Sequence, residues 1–273
     1  MTNLQPLSDS PPDEWGGLSF VFTDIDDTIT TDGRLEATVY TMIERLSDAG
    51  LKVVPVTGRP AGWCDLIARF WPVEAVVGEN GAFYFRYDRP SSTMTRVFAQ
   101  SSEERERNRQ ALVALRDKIL SAVPCAAVAA DQRYRETDLA IDIAEDVDRL
   151  PDHEIDMLVE LFEAVGATAR VSSIHVNGWF GQHDKLSMTR QLLLREFGRD
   201  PDHADDQAAC TFIGDSPNDS PLFGFFSKSV GVANIRSLAA RCSALPTWIT
   251  TAPSGAGFCE FAEHILANRN RST

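Results

Sequence analysis

Two short acidic segments stand directly after apolar runs and carry residue types suited to metal binding and nucleophilic chemistry. The first, Asp24-Ile25-Asp26-Asp27-Thr28, follows the apolar run 18–22. The second, Gly214-Asp215-Ser216-Pro217-Asn218-Asp219, follows residues 211–213. Carboxylates crowded beyond a buried strand are unfavourable without a cation, and hard oxygen ligands suit Mg²⁺. One carboxylate could attack phosphorus while a second moves protons. The plain alternatives are a solvated acidic loop and a Pro/Asn/Asp turn.

Two further segments offer groups that hold anions. Thr57-Gly58-Arg59 follows the strand candidate 52–56, and a hydroxyl beside an exposed N–H can bind phosphate oxygens. Lys185 begins a helix candidate after residues 181–184, and both an ammonium and a helix N-terminus favour a bound anion. Each signal is weak alone, because Thr-Gly turns and surface lysines are common.

The elements around these segments alternate between strand and helix. Apolar runs at 18–22, 52–56 and 75–77 are separated by helical patterns, and the alternation returns after residue 183. This order predicts an α/β fold with a doubly wound parallel sheet. Ligands in such sheets bind at the carboxyl ends of strands, where the acidic segments fall.

The middle of the chain has a different pattern. Residues 138–143 alternate with period two, and residues 102–120 and 152–165 are helix candidates. Strands with one solvent-exposed face predict an inserted α+β module. We therefore expect a flexible N-terminal tail at 1–16, a core built from 17–82 and 183–273, and an inserted cap at 83–182.

Composition restricts the partners and the compartment. The formal net charge of −14 argues against nucleic acid and membrane surfaces, which attract basic patches. Five scattered cysteines without a CxxC pair predict free thiols. No signal peptide or membrane-spanning run is evident, so a cytoplasmic protein is expected. Monomer and homodimer both remain open.

Taken in order, the motifs resemble those of a known superfamily. Asp-x-Asp-x-Thr, Thr-Gly-Arg, Lys and Gly-Asp-x-x-Asn-Asp are similar to the four motifs of the haloacid dehalogenase superfamily, over about residues 18–267. An insert between Thr57 and Lys185 resembles the C2-capped subfamily IIB, as does Glu79-Asn80-Gly81-Ala82. That group includes phosphatases for sucrose, trehalose and mannosylglycerate phosphates, and phosphomannomutases. Its fold would be a Rossmann-like core with a C2-type cap.

The resemblance implies a role for each matching residue. Asp24 would be the nucleophile and a Mg²⁺ ligand. Asp26 would be the general acid and base, with its backbone carbonyl on the metal. Phosphoryl transfer needs mainly positioning and charge compensation. The other implied groups are Thr57 and Gly58, which would hold the phosphoryl group, Lys185, which would neutralise charge, and Asp215 and Asp219, which would complete or support the metal site. The chain departs from the family at Asp27 and Leu186, where glycine is common.

Substrate choice is expected to lie around Arg59 and Asn80 and in the cap. Arg133 and Arg135 offer guanidinium groups, and His175 and Asn177 alternate with Ser173 along one strand, where polar side chains suit a sugar. Surface ion pairs with nearby acids for the arginines, and a satisfied surface or core histidine for His175, are the alternatives.

We therefore expect a Mg²⁺-dependent phosphatase that acts on a small phosphorylated metabolite, with a sugar phosphate as the first choice, through an aspartyl-phosphate. A phosphomannomutase-like mutase and a non-catalytic binding module on the same fold are the competing hypotheses.

Overall fold

Thirteen strands and eight α-helices alternate along residues 4–269, the part of the chain that the computed structural model describes. The strands are β1 (Gln5–Pro6), β2 (Phe20–Thr23), β3 (Lys52–Pro55), β4 (Val76–Gly78), β5 (Phe83–Asp88), β6 (Thr93–Phe98), β7 (Ala127–Val128), β8 (Asp138–Asp142), β9 (Thr168–Val171), β10 (His175–Trp179), β11 (Cys210–Gly214), β12 (Ser229–Gly231) and β13 (Trp248–Ile249). The helices are α1 (Ala37–Asp48), α2 (Ala61–Phe70), α3 (Ser102–Ala122), α4 (Asp152–Glu163), α5 (Lys185–Phe197), α6 (Ala204–Ala208), α7 (Ser220–Phe225) and α8 (Ser254–Arg269). Among them, no helix is long and apolar enough to span a bilayer.

A parallel sheet with the order β1-β13-β12-β11-β2-β3 forms the core. Its two faces bury different sets of side chains, because successive residues of a strand point to opposite sides. Val21 and Val53 pack in one hydrophobic cluster with α1 and α8. Phe22 and Val54 pack in another with α5 and α7. The predicted doubly wound α/β core is confirmed.

Strands β4, β5 and β6 extend one side of this core. A parallel bridge joins Val56 to Val77, and β4, β5 and β6 then pair antiparallel in sequence. Phe83 and Phe85 belong to the same hydrophobic cluster as Val53. The segment predicted to begin the insert thus packs on the core, while the boundaries 82/83 and 182/183 stay a prediction.

The insert contains an antiparallel sheet with the order β7-β8-β10-β9. The alternation predicted for residues 138–143 appears in β8: Leu139 and Ile141 pack against α3 and α4, as does Val176 of β10. The opposite face of these strands carries polar residues, among them Asp138 and Asn177, which are buried.

The N-terminal segment is ordered over the residues described. Gln5–Pro6 pairs in parallel with Trp248–Ile249, and the side chains of Leu7 and Trp15 are buried. Trp15 packs edge-on against Phe261 of α8. The prediction of a flexible tail is therefore wrong for residues 4–16, because burial of these apolar side chains fixes the segment; residues 1–3 lie outside the described part.

Candidate active site

Three neighbouring strands of the core sheet end at residues that the sequence singles out. Asp24 follows β2, Thr57 lies just beyond β3, and Asp215 follows β11. Because β2 pairs with both β3 and β11, these carboxyl ends lie side by side at one edge of the sheet. Parallel α/β sheets place their ligands at this edge.

A buried carboxylate triad is formed by Asp24, Asp215 and Asp219. Their side chains can offer oxygen atoms that all lie within 4.8 Å of one another. The three residues are 3%, 1% and 0% exposed, respectively. Lys185 Nζ lies 3.0 Å from Asp24 Oδ1 and 2.7 Å from Asp219 Oδ1. The structure therefore brings four predicted site residues together.

The electrostatics of this cluster follow from its burial. Burial raises the pKa of Asp24 to about 8, Asp219 adds to the rise, and Lys185 opposes it. Burial also raises the pKa of Asp215, with Asp24 and Asp219 contributing. Burial alone would lower the pKa of Lys185, but Asp219 and Asp24 raise it above its ordinary value. Three carboxylates thus share one ammonium, and two negative charges remain when all are ionised.

A divalent cation fits this donor set. Carboxylate oxygens are the ligands that Mg²⁺ prefers, and a double positive charge would balance the two remaining negative charges. Asp24 and Asp215 are the best placed to hold it. Asp219 is more fully engaged than Asp215: its Oδ1 accepts from Lys185 at 2.7 Å and its Oδ2 from the backbone N–H groups of Asp215 and Ser216 at 3.0 and 3.2 Å. Within the described residues, Asp215 accepts only two longer hydrogen bonds, at 3.2 and 3.4 Å. Asp219 therefore supports the site.

The position of Lys185 depends on the loop that leads into the insert. Lys185 is the first residue of α5, and Asp184 caps the helix by accepting from Ser187 N at 2.7 Å. Gly81, with φ +98°, packs directly against Asp184, and a Cβ on residue 81 would lie 1.9 Å from Asp184 O. Only glycine allows this approach, so the loop and the start of α5 are held as one unit.

Asp26 is held by Arg59. The guanidinium donates to Asp26 Oδ1 at 2.9 and 2.7 Å and to Oδ2 at 3.0 Å. Arg59 also donates to Glu145 of the insert at 2.6 Å and lies 3.5 Å from Asp131. In this arrangement Arg59 joins the core to the insert through carboxylates, and does not present the free guanidinium that was predicted to meet the substrate.

Thr57, Gly58 and Asn80 lie next to one another. Asn80 N donates to Thr57 O at 3.0 Å, and Thr57 Oγ1 accepts from Arg59 N at 3.0 Å. A Cβ on Gly58 would lie 3.2 Å from Asn80 Nδ2. Thr57, which was predicted to hold the phosphoryl group, and Asn80, which was predicted to bind substrate, are both buried beside the triad's strand ends.

The insert residues predicted to bind substrate divide into two groups. Arg135 is buried and bonded to Asp131, Asp138 and the carbonyl of Gly58. Arg133 is exposed, and its guanidinium lies over the Tyr134 ring. The structure therefore places neither guanidinium beside the triad, because Arg135 is neutralised by carboxylates of its own module.

His175 and Asn177 lie on the polar face of β10. His175 Nε2 lies 2.9 Å from Glu145 Oε2, and Asn177 Nδ2 donates to Asp138 Oδ2 at 2.8 Å. Asn177 faces the core, because its Oδ1 would lie 3.6 Å from a Cβ on Gly58.

Several residues of the site escaped sequence reasoning. Asn234 donates to Asp215 Oδ2 at 3.2 Å, and Thr28 to Asp215 Oδ1 at 3.4 Å. Glu79 is buried and links the core to the insert, while Glu145 reaches Arg59 from the insert. Of these, Thr28 carried a signal as the last residue of Asp-x-Asp-x-Thr, and Glu79 as the first residue of the Glu-Asn-Gly-Ala segment, but neither was assigned a role.

Comparisons with known proteins agree with this arrangement. Residues 21–109 match the family of haloacid dehalogenase-like hydrolases. No curated protein matches the chain. A structure from Thermoplasma acidophilum superposes with a TM-score of 0.66 at 17% identity, covering 91% of this chain and 98% of that one.

Two other similar structures carry functional names. The sucrose-phosphatase of Synechocystis, solved with sucrose and phosphate, has a TM-score of 0.59 and 16% identity and covers 90% of this chain and 97% of its own. A sugar phosphatase of haloacid dehalogenase subclass IIB has a TM-score of 0.60 and 14% identity, covering 90% and 98%. The fold is thus that of subclass IIB, as the resemblance predicted. The match of residues 21–109 to haloacid dehalogenase-like hydrolases agrees with this likeness of fold.

Proposed function

We propose that the protein is a Mg²⁺-dependent phosphatase of a small phosphorylated metabolite, with a sugar phosphate as the first candidate. The observation that carries this proposal is the buried cluster of Asp24, Lys185, Asp215 and Asp219 at the carboxyl end of β2, with Asp26 two residues further on. Free cysteines in the described residues agree with the cytoplasmic location that we expect.

In the proposed reaction, an Asp24 oxygen attacks phosphorus and the bond to the leaving oxygen breaks. For this, Asp26 is protonated and one of its oxygens is released from Arg59, and it then gives its proton to the leaving oxygen. Asp26 then takes a proton from water, whose oxygen attacks phosphorus and releases phosphate and Asp24. Lys185 holds Asp24 and offsets negative charge on the phosphoryl oxygens. Mg²⁺, when bound, would supply further neutralisation of those oxygens.

One of the cavities that Asp26 lines bears on the leaving group. It has a volume of about 450 Å³, and its lining includes the carboxylates of Asp26, Asp27, Asp32 and Glu145 but only two guanidiniums, of Arg59 and Arg149. Arg59 is already paired with Asp26 and Glu145. An uncharged hydroxyl-rich group suits this lining better than a second phosphate does. The lining of this cavity therefore favours a phosphatase over a mutase that needs a sugar bisphosphate.

The test is phosphate release from a panel of sugar phosphates and other monoesters, with and without Mg²⁺. We expect release only with Mg²⁺, and a loss of at least about 10³-fold in Asp24→Asn, which removes the nucleophile. Asp117→Asn, an exposed acid on α3, is the matched control and should retain the wild-type rate. Undiminished turnover in Asp24→Asn would refute the mechanism, and isomerised sugar phosphate without free phosphate would favour the mutase.

A further inference from the structure

Asn80 has a buried hydrogen-bond donor without a partner. The residue is 2% exposed, and its Oδ1 accepts from Asn218 Nδ2 at 3.0 Å. Its Nδ2, in contrast, makes no hydrogen bond to any residue within 4–269. Leaving a buried amide donor unpaired is unfavourable, so such a group points to a missing partner.

The orientation of this amide is set by a short relay. Ser216 Oγ donates to Asn218 Oδ1 at 2.8 Å, which leaves the Asn218 Nδ2 group to donate to Asn80 Oδ1. The Asn80 oxygen is thereby engaged, and its Nδ2 is left as a donor. Ser216 and Asn218 belong to the second acidic segment, so the relay ties this donor to the loop that carries Asp215.

The unpaired donor lies at the proposed phosphoryl site. Asn80 Nδ2 would be 3.2 Å from a Cβ on Gly58, which follows Thr57 just beyond the carboxyl end of β3. On the insert side, the nearest polar atom to the Gly58 position is Asn177 Oδ1 at 3.6 Å. That atom is an acceptor, because Asn177 Nδ2 donates to Asp138. An anionic oxygen bound beside Gly58 can therefore accept a hydrogen bond from Asn80 Nδ2.

The backbone of Asn80 explains why asparagine stands at this position and supplies a control. Its φ and ψ are 53° and 33°, in the left-handed region. Glycine adopts this region readily, and asparagine and aspartate tolerate it better than other residues. Asn80→Gly and Asn80→Asp can therefore change the side chain while keeping the backbone conformation.

We propose that Asn80 Nδ2 donates a hydrogen bond to an oxygen of the transferred phosphoryl group, and that Ser216 and Asn218 orient it. The proposal rests on the phosphatase function above and adds a substrate-binding group to it. Product phosphate would make the same contact, so inorganic phosphate is a direct probe.

The experiment measures binding of inorganic phosphate by calorimetry, in Mg²⁺, to wild type, Asn80→Gly and Asn80→Asp. Loss of one hydrogen bond to a charged group should weaken binding by about tenfold or more in Asn80→Gly. Asn80→Asp keeps an acceptor for Asn218 but replaces the donor by a charged oxygen, so binding should weaken further. Asn108→Asp adds the same charge on α3 and should bind as wild type does.

Melting temperatures show which variants fold; if Asn80→Gly does not fold, wild-type affinity in Asn80→Asp still overturns the proposal. Wild-type affinity in a folded Asn80→Gly would overturn the proposal even if Asn80→Asp binds weakly, because charge repulsion would then explain the latter. A wild type that binds no phosphate would also overturn it. If phosphate binding depends on Asn80 while no ester is turned over, the proposed function fails and the donor assignment stands.

Discussion

Lys185 provides the single positive charge that contacts Asp24 and Asp219 within the described residues. The ammonium is 1% exposed, so water contributes little to its solvation. Burial of an ion pair is favourable only when the partners and their hydrogen bonds are complete. The side chain is therefore part of the charge balance of the triad, and in the proposed reaction it would also offset charge on the phosphoryl group.

We predict that Lys185→Met lowers turnover by at least about 100-fold, because a preorganised charge is lost where negative charge develops. Mg²⁺ affinity, measured by calorimetry, should be retained or increased, since the variant leaves the three carboxylates without a competing cation. Lys118→Met, an exposed position on α3, serves as the control. Turnover near the wild-type rate in Lys185→Met would contradict this role, and retained Mg²⁺ binding would exclude misfolding as the cause of a loss.

At this scale the sequence predicts part of the site. Asp24, Asp215 and Lys185 stand at the ends of strongly patterned strands or helices, so local signals locate them. The pairing of Arg59 was not predictable, because Glu145 and Asp131 reach it from distant parts of the chain, whereas Arg135 pairs with Asp131 and Asp138, which are close to it in sequence. An arginine that looks free in sequence can be neutralised once the fold is formed.

Among the elements, Glu79 joins the start of α2 to the segment before β8. Its carboxylate accepts from Ala61 N at 2.9 Å in the core and from Thr137 N at 2.7 Å in the insert. Burial raises the pKa of Glu79 from 4.5 to about 7, with Asp138 adding to the rise and Arg135 opposing it. The connection between core and insert therefore contains an acid that titrates near neutrality.

The raised pKa of Glu79 determines how its contribution to stability changes with pH. Between pH 4.5 and about 7 the folded chain holds a proton that the unfolded chain has released, so the contribution of Glu79 to stability falls as pH rises and levels off above 7. We predict that the melting temperature of wild type minus that of Glu79→Gln decreases across this interval and is constant above it. Melts at several pH values for both proteins measure this. A difference that grows with pH would contradict the raised pKa.

Periodicity predicts the elements well where one face is buried. The alternation predicted for β8 is found, and one of the predicted helical patterns is α1, which buries Val39, Ile43 and Leu46 on one face. The module that β5 and β6 pack against is harder to predict from sequence, because a hairpin strand has the same pattern whichever module it packs against. Its position is decided by the aromatic contacts of Phe83 and Phe85 with the core, which sequence spacing does not encode.

Across the whole molecule, the insert lies docked on the core through charged and polar contacts. Arg59 reaches Glu145, Arg135 reaches the carbonyl of Gly58, and Glu79 reaches Thr137. Each contact joins residues that are far apart in sequence and surround the proposed active site. Interfaces between modules of one chain are often polar and permit relative motion, so access of substrate and docking of the insert are expected to be coupled.

The N-terminal segment contributes to the stability of the core at the same scale. Trp15 is fully buried, donates to Ser10 Oγ at 3.0 Å and packs on α8. Removing a buried tryptophan side chain costs about 3–5 kcal/mol, so Trp15→Ala should lower the free energy of unfolding by this amount in denaturant titrations. Trp63→Ala, at a side chain that is 42% exposed, should have a much smaller effect. Equal losses in the two variants would contradict the packing role of the segment.

The same segment also protects the protein from self-association. β1 is only two residues long, covers β13 at the end of the core sheet, and contains Pro6, which cannot donate to a further strand. A chain that starts at Gly17 would expose the backbone of β13 and the apolar surface under Trp15. Open sheet edges recruit other strands, so such a shortened protein is expected to aggregate, which light scattering would detect. The short N-terminal segment would then keep the protein from associating with itself.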